Sequence, residues 1–237
     1  MTLRVRRLIG FLIIVFGVGA AIYTQQILPD QQAANSQSQS FTAPTPSQGN
    51  QPLALSALQQ LRVKGRAPKT GYTREQFGNG WATTNGCDTR EIILHRDMPD
   101  AIVDSNCNVL RGTLNDPYTG KVIHFTRGAT TSAAVQIDHV VALGNAWQTG
   151  AQQLTAQQRV QLANDPLELL AVDGPANEQK GDGDAATWLP PNKPFRCQYV
   201  ARQVAVKLKY SLWVTQAEKA AIERVLNTCL GQQLPAP

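Results

Sequence analysis

Four cysteines limit the fold of this 237-residue chain more than any other feature. Cys87, Cys107, Cys197 and Cys229 form an even set, and none lies within four residues of another. Zinc ribbons and knuckles need ligand cysteines paired a few residues apart, so that class is excluded. The remaining reading depends on redox compartment. Leu8–Tyr23 reads LIGFLIIVFGVGAAIY without a charge, directly after the basic segment Arg4–Arg7. A basic start, an apolar core and small residues at Gly17, Gly19, Ala20 and Ala21 make the layout of a secretory signal. The run falls slightly short of the roughly 20 residues that span a bilayer, although a tilted segment of this kind can anchor a protein. Residues 1–24 are therefore expected to be a signal peptide or membrane anchor, and the body to be secreted or extracytoplasmic. In that setting four cysteines predict two disulfides, with three possible connectivities. Cys87–Cys107 and Cys197–Cys229 are favoured, because each pair brackets one local unit and closes a moderate loop. No cysteine is then left over as a catalytic thiol.

From Gln31 to Pro52 the chain is rich in Gln, Ser, Asn, Thr and Pro, with almost no aliphatic residues. Such a stretch buries too little apolar surface to offset its ordering entropy. Residues 25–52 are thus expected to be a disordered linker, and residues 53–237 the folded domain. Hydrophobic residues make up 42% of the chain and charged residues 16%, which suits a globular body. The net charge of +5 invites a nucleic-acid reading, but removing residues 1–24 takes three arginines with it. Lys+Arg then falls from 22 to 19 against 17 acids, a net of +2. Charge does not identify the partner.

Periodicity and capping signals predict an α+β pattern. Leu53, Leu55, Leu58, Leu61 and Val63 suggest an opening helix. Glu91–Leu94 and Val122–Phe125 read as short strands around the turn Asn115–Gly120, and Ala134–Val141 as a strand running into a helix near 142–150. Thr155 is a candidate N-cap for a helix to Ala163. Leu167–Val172 is an apolar run of strand length. Asp173-Gly174-Pro175 then starts a short helix, and 199–210 and 215–230 read as closing helices. Strands do not alternate with helices in βαβ fashion.

Only three histidines are present. His95 and His124 lie in apolar contexts without acidic neighbours and read as structural or surface residues. His139 follows Asp138 at the end of an expected strand. Neighbours on a strand point to opposite faces, so the two share a site only through a twist or bulge. Downstream, Asn177 and Lys180 stand three apart on one helix face. Together these pieces predict a β-β-α unit: a strand with Asp-His, a second strand, and a helix with Asn and Lys. Phosphodiester hydrolysis uses such a set. A neutral histidine takes a proton from water, hard oxygen ligands hold a divalent ion, and a lysine neutralises phosphate.

These residues resemble the HNH, or ββα-metal, endonucleases, and most closely the exported HNH proteins related to the C-terminal part of GmrSD-type nucleases. The resemblance runs from about Tyr72 to Cys229. It is carried by CDTR (Cys87–Arg90), DPYTG (Asp116–Gly120), QIDHVVAL (Gln136–Leu143), AW..GA (Ala146–Ala151), ANDPLELLAVDGPANEQKGD (Ala163–Asp182) and WLPPNKPFRCQYVARQ (Trp188–Gln203). It implies a ββα-metal core with added helices, stapled by the two disulfides. It also implies that Asp138 is a metal ligand, His139 the general base, and Asn177 the second ligand in the place of the family's final histidine. One divalent ion is expected, Mg²⁺ or Mn²⁺. The family's middle Asn supports the loop carrying the base through backbone hydrogen bonds. Its position here, nine residues before Asn177, is Glu168, which accepts but does not donate as an amide does. Asn164, four residues earlier, is the alternative support.

Arg90 is a candidate phosphate clamp beside Lys180. Lys193, Arg196 and Arg202 are candidates for a basic face over the substrate. Trp147, Trp188 and Trp213 fit either base stacking or the core. No serine-hydrolase elbow, P-loop or dinucleotide fingerprint occurs. Gly181-Asp182-Gly183-Asp184 lacks the ligand spacing of a calcium loop. The expectation is an exported, metal-dependent endonuclease acting on nucleic acid, DNA rather than RNA, as a monomer. The membrane would be met only through an uncleaved N-terminus. The alternative is a catalytically inactive nucleic-acid-binding or cell-envelope protein retaining the fold, favoured by the altered Glu168.

Overall fold

A computed structural model describes residues 51–236. The segment 1–24 and the linker up to residue 50 lie outside the described residues. The first helix among the described residues is α1 (Ala54–Leu58), and a tight hairpin pairs β1 (Thr83–Thr84) with β2 (Cys87–Asp88). Helix α2 (Thr89–Asp97) follows, then the antiparallel sheet β3 (Ile102–Val103), β4 (Val109–Asn115) and β5 (Val122–Thr126). Strand β6 (Val135–His139) leads into α3 (Leu143–Gln148) and α4 (Ala156–Ala163). Strand β7 (Leu169–Asp173), α5 (Gly174–Lys180), α6 (Arg196–Lys209) and α7 (Gln216–Leu226) complete the order. Among the described residues no helix is long and apolar enough to cross a membrane.

The β6–β7 pair lies between two cores, which is why Leu169–Val172 of β7 are apolar on both faces. Val135 and Ile137, with Leu169 and Ala171 opposite, pack on Ile93 and Leu94 of α2 and on Val109, Leu114 and Phe125 of the three-stranded sheet. Leu170 and Val172 face the larger core, built on Val200, Val204, Ile222 and the short helices α1 and α3. Burying one such aliphatic side chain is worth about 1.5–3 kcal/mol, so a one-residue slip of the pairing would forfeit several of them at once. The expected β-β-α unit is thus present, with α3 and α4 inserted between its strands. Asp173 caps α5 by accepting from Ala176 N (2.9 Å). Gly174 is required there: a Cβ would stand 2.1 Å from the Ala133 carbonyl. Thr155 and Thr215 each close a capping box on α4 and α7.

One expected strand is a helix. Glu91–Leu94 lies inside α2, because Asp88 accepts from Glu91 N (2.8 Å) and nucleates the first turn. The Asp-x-x-Glu cap outweighs the β-branched pair Ile92-Ile93, and Ile93 and Leu94 become one buried helical face. The strand that pairs with Val122–Thr126 is β4 instead.

Both expected disulfides are present, Cys87–Cys107 and Cys197–Cys229. The first ties β2 to the loop before β4, and the second ties the start of α6 to the end of α7. Loops of 20 and 32 residues should each confer about 3 kcal/mol through loss of unfolded-state entropy. Reduction should therefore lower the melting temperature by at least 10 °C in a calorimetric scan, and an unchanged transition would refute the stapling role.

Candidate active site

A cavity of about 550 Å³ runs along β6 and the end of α5. Asp138, His139 and Asn177 all line it, as do Arg90 and Asp182. The β6–β7 register is unbroken from Val135–Asp173 to His139–Leu169, so no bulge brings Asp138 and His139 to one face. The two reach the cavity from opposite faces of β6, which among the described residues has no strand along its outer edge.

The His139 ring is held on two sides. Its Nε2 lies 3.0 Å from the Ala163 carbonyl, and because a carbonyl only accepts, the proton sits on Nε2. Nδ1 is left with its lone pair and makes no hydrogen bond among the described residues. The Trp81 indole stacks on the ring, with centroids 5.6 Å apart and planes 11° off parallel. Burial pushes the imidazole pKa down to about 3, so the ring is neutral across the physiological range. A neutral imidazole with a fixed tautomer and a free Nδ1 is equipped to accept a proton.

Four hydrogen bonds hold the backbone around the base. Val140 N donates to the Glu168 carbonyl (2.9 Å) and Val141 N to the Glu168 carboxylate (3.1 Å). Gln203 of α6 donates to the Val140 carbonyl (2.9 Å), and Lys180 donates to the His139 carbonyl (2.9 Å). Glu168 therefore holds this loop by accepting from Val140 N and Val141 N, and its other carboxyl oxygen is buried without a partner among the described residues. Burial raises the Glu168 carboxyl well above its ordinary range. Asn164 does not touch the loop. Its Oδ1 accepts from Ala82 N (2.8 Å), next to Trp81, so it steadies the aromatic wall of the base instead.

Lys180 differs from its expected role at phosphate. It is buried, with Nζ 2.9 Å from Asp138 Oδ1, and its whole charge is committed to that carboxylate. The cause is the helix: three residues beyond Asn177, the end of α5 turns inward over β6. The second Asp138 oxygen accepts from the Tyr118 hydroxyl. Burial raises the Asp138 carboxyl, while Lys180 and Tyr118 oppose that shift. Tyr118 belongs to the DPYTG turn, whose Asp116 accepts from Asp173 N (2.8 Å) and so locks the turn to the end of β7. Asn192 covers the same turn through the Pro117 and Tyr118 carbonyls. Four of the quoted segments, those holding Tyr118, Asp138, Lys180 and Asn192, thus meet in one connected support for Asp138.

Asn177 donates its amide to Gln136 Oε1 (2.8 Å), and Gln136 in turn donates to Glu178 (2.9 Å). That chain sets the amide orientation and leaves Asn177 Oδ1 free. Among the described residues no group of three or more His, Cys, Asp or Glu side chains is arranged to hold a metal ion. Of the two expected ligands, Asn177 keeps its amide oxygen free among the described residues, while each Asp138 oxygen accepts one hydrogen bond, from Lys180 or Tyr118, and keeps lone pairs; the Asp182 and Glu178 carboxylates also line the cavity. Such a sparse oxygen set fits a hard divalent ion that keeps several waters.

Arg90 does line the cavity, with Nη1 on Glu91 (2.8 Å). Arg196 and Arg202 do not reach it, since each donates to backbone carbonyls, of Pro190 and of Leu167 respectively. Lys193 and Arg196 line a separate groove near Cys197. Trp147 and Trp213 are core residues, and Trp188 packs against the core. His95 and His124 are exposed. Tyr118, Trp81 and Gln203 are the functional neighbours that sequence reasoning missed. Tyr118 and Gln203 were visible as motif letters but had no assigned partner, whereas Trp81 carries no local signal.

The family profile described as the C-terminal domain of GmrSD restriction endonucleases matches residues 95–225. An uncharacterized secreted protein of Arthroderma benhamiae is 41% identical over 195 residues, covering 79% of this chain and 91% of that protein. No solved structure matches.

Proposed function

The chain belongs to the family of the GmrSD restriction endonuclease C-terminal domains, and from that premise we propose that it is an exported, metal-dependent endonuclease of the HNH type. The observation that carries the proposal is the His139 ring, neutral, pinned through Nε2 to the Ala163 carbonyl and presenting Nδ1. In the proposed reaction Nδ1 takes a proton from water as the water oxygen bonds to phosphorus. The bond from phosphorus to the 3′-oxygen breaks in line, and the imidazolium returns its proton to solvent. Trp81 and the Glu168-bonded loop hold the base still, which is the condition for near-attack geometry. A divalent ion, Mg²⁺ or Mn²⁺, would be held by Asp138 and Asn177 and would supply positive charge where the leaving oxygen develops its negative charge. Arg90 faces the substrate phosphate. Export is supported by the N-terminal signal pattern and by the relative named as secreted.

The test uses plasmid DNA and a matched RNA, incubated with the chain in Mg²⁺, in Mn²⁺ and in EDTA. Cleavage of DNA with either ion and none with EDTA is expected. Nicking that survives the chelator would overturn the one-ion proposal. A second reading, a binding protein without catalysis, is favoured by the engagement of both Asp138 oxygens by Lys180 and Tyr118. It predicts nucleic-acid binding with no cleavage under any divalent ion.

A further inference from the structure

Charge around the cavity is nearly all committed. Lys180 is spent on Asp138, and Lys69 pairs with Asp182. Arg90 shares the buried Glu91 with Arg127. Glu178 accepts from the neutral Gln136 amide. Arg74 is different: among the described residues its guanidinium makes no hydrogen bond and no ion pair. It lines the main cavity with Asp138 and Asn177, and also the adjoining smaller one with His139, Trp81 and Ala163. Its charge is felt at the His139 ring, where it adds to burial in disfavouring protonation.

Arg74 also stands on a fixed base. It opens a 3-10 turn, Arg74–Phe77, whose Phe77 is buried and packs edge-on to Tyr72 and Trp147. Arg159 of α4 clamps the turn through the Gln76 carbonyl (2.8 Å) and the Gln76 side chain (3.1 Å). An exposed arginine on a loose loop pays side-chain and backbone entropy to engage an anion. Here the backbone share of that cost is already met by folding.

We propose that Arg74 is a phosphate-binding residue of this site, placed on the His139 side of the cavity to grip the substrate backbone. This rests on the nuclease reading above. A guanidinium offers five donors in a planar fork that matches two phosphate oxygens. In-line attack raises the charge on those oxygens, so the contact strengthens toward the transition state. Arg74 and Arg90 then bring cations to the cavity from two different segments, while Lys180, the cation expected from sequence, serves Asp138.

The test measures binding of the full chain to a short duplex and a short single strand in a His139→Ala background, across a salt series. Arg74→Ala should reduce the magnitude of the slope of log K against log salt by about 0.9 on duplex or about 0.7 on single strand, one phosphate contact. Arg111→Ala, exposed on β4 and outside the cavity, should leave the slope unchanged. With His139 intact, Arg74→Ala should lose about 10–100-fold in kcat/KM, the worth of one hydrogen bond to a charged group. Arg74→Lys should keep the slope and recover only part of the rate, since it retains the charge and loses the fork. An Arg74→Ala slope equal to that of the parent, in a protein with unchanged melting temperature, would overturn the assignment. The slope is read without cleavage, so failure of the parent chain to cleave would sink the nuclease reading alone.

Discussion

His139→Ala should cleave about 10²–10⁴-fold more slowly than the parent chain, the usual cost of losing a general base. Calorimetric titration with Mn²⁺ should show metal binding unchanged, because His139 faces the cavity from the other side of β6 and is no proposed ligand. Asn177→Ala should fail differently, with weakened Mn²⁺ binding and activity partly restored by excess ion. The opposite pattern, in which His139→Ala abolishes metal binding and Asn177→Ala leaves it intact, would reverse the proposed roles. The pH profile adds a check. A histidine with its ordinary pKa of about 6.5 would lose its base form as pH falls through that value. Burial has pushed His139 down to about 3, so the base form persists and the rate should show no acid limb centred near pH 6.5.

Lys180→Met should lower unfolding stability at neutral pH by about 3–5 kcal/mol, measured by urea denaturation. Both partners of the Lys180–Asp138 pair are buried, and removing the cation strands a carboxylate away from water. The sign of the pH effect follows from that burial. Without Lys180 the Asp138 pKa in the folded state rises further above its unfolded value, so the protonated folded form is favoured. The deficit should therefore be largest at neutral pH and shrink as pH falls toward the unfolded carboxylate pKa of about 3.9. Adding Asp138→Asn to Lys180→Met should recover much of the loss, because an amide needs no counter-ion. A loss below about 0.5 kcal/mol for Lys180→Met alone would show that the pair contributes only what a solvent-exposed ion pair does.

Lys180 marks the limit of what helical spacing encodes. Helical spacing placed Asn177 and Lys180 on the same side of α5, and that was correct as local geometry. It carried no information on which way the side would turn. Packing of α5 over β6 put Asn177 at the cavity and Lys180 beneath it, against Asp138. The direction of the Asp138 side chain was settled the same way, by a tyrosine twenty residues earlier in the chain.

What the sequence determined by itself is the set of features whose physics is local. The Asp173-Gly174-Pro175 helix start, the capping residue Thr155, the two strands of the β-β-α unit and the Asp138-His139 pair follow from capping and periodicity within a few residues. The disulfide partners were legible because even cysteines in an exported chain close the loops nearest to them. Tertiary structure alone decided the rest. The β-branched stretch Ile92-Ile93 became helical because the Asp88 cap and the core face of α2 outweighed strand propensity. Trp81, Gln203 and the Ala163 carbonyl converged on one histidine loop from segments 24 to 64 residues away. Such meetings depend on how two cores pack around β6 and β7, a sum over many weak contacts distant in sequence, and no short window of residues encodes that sum.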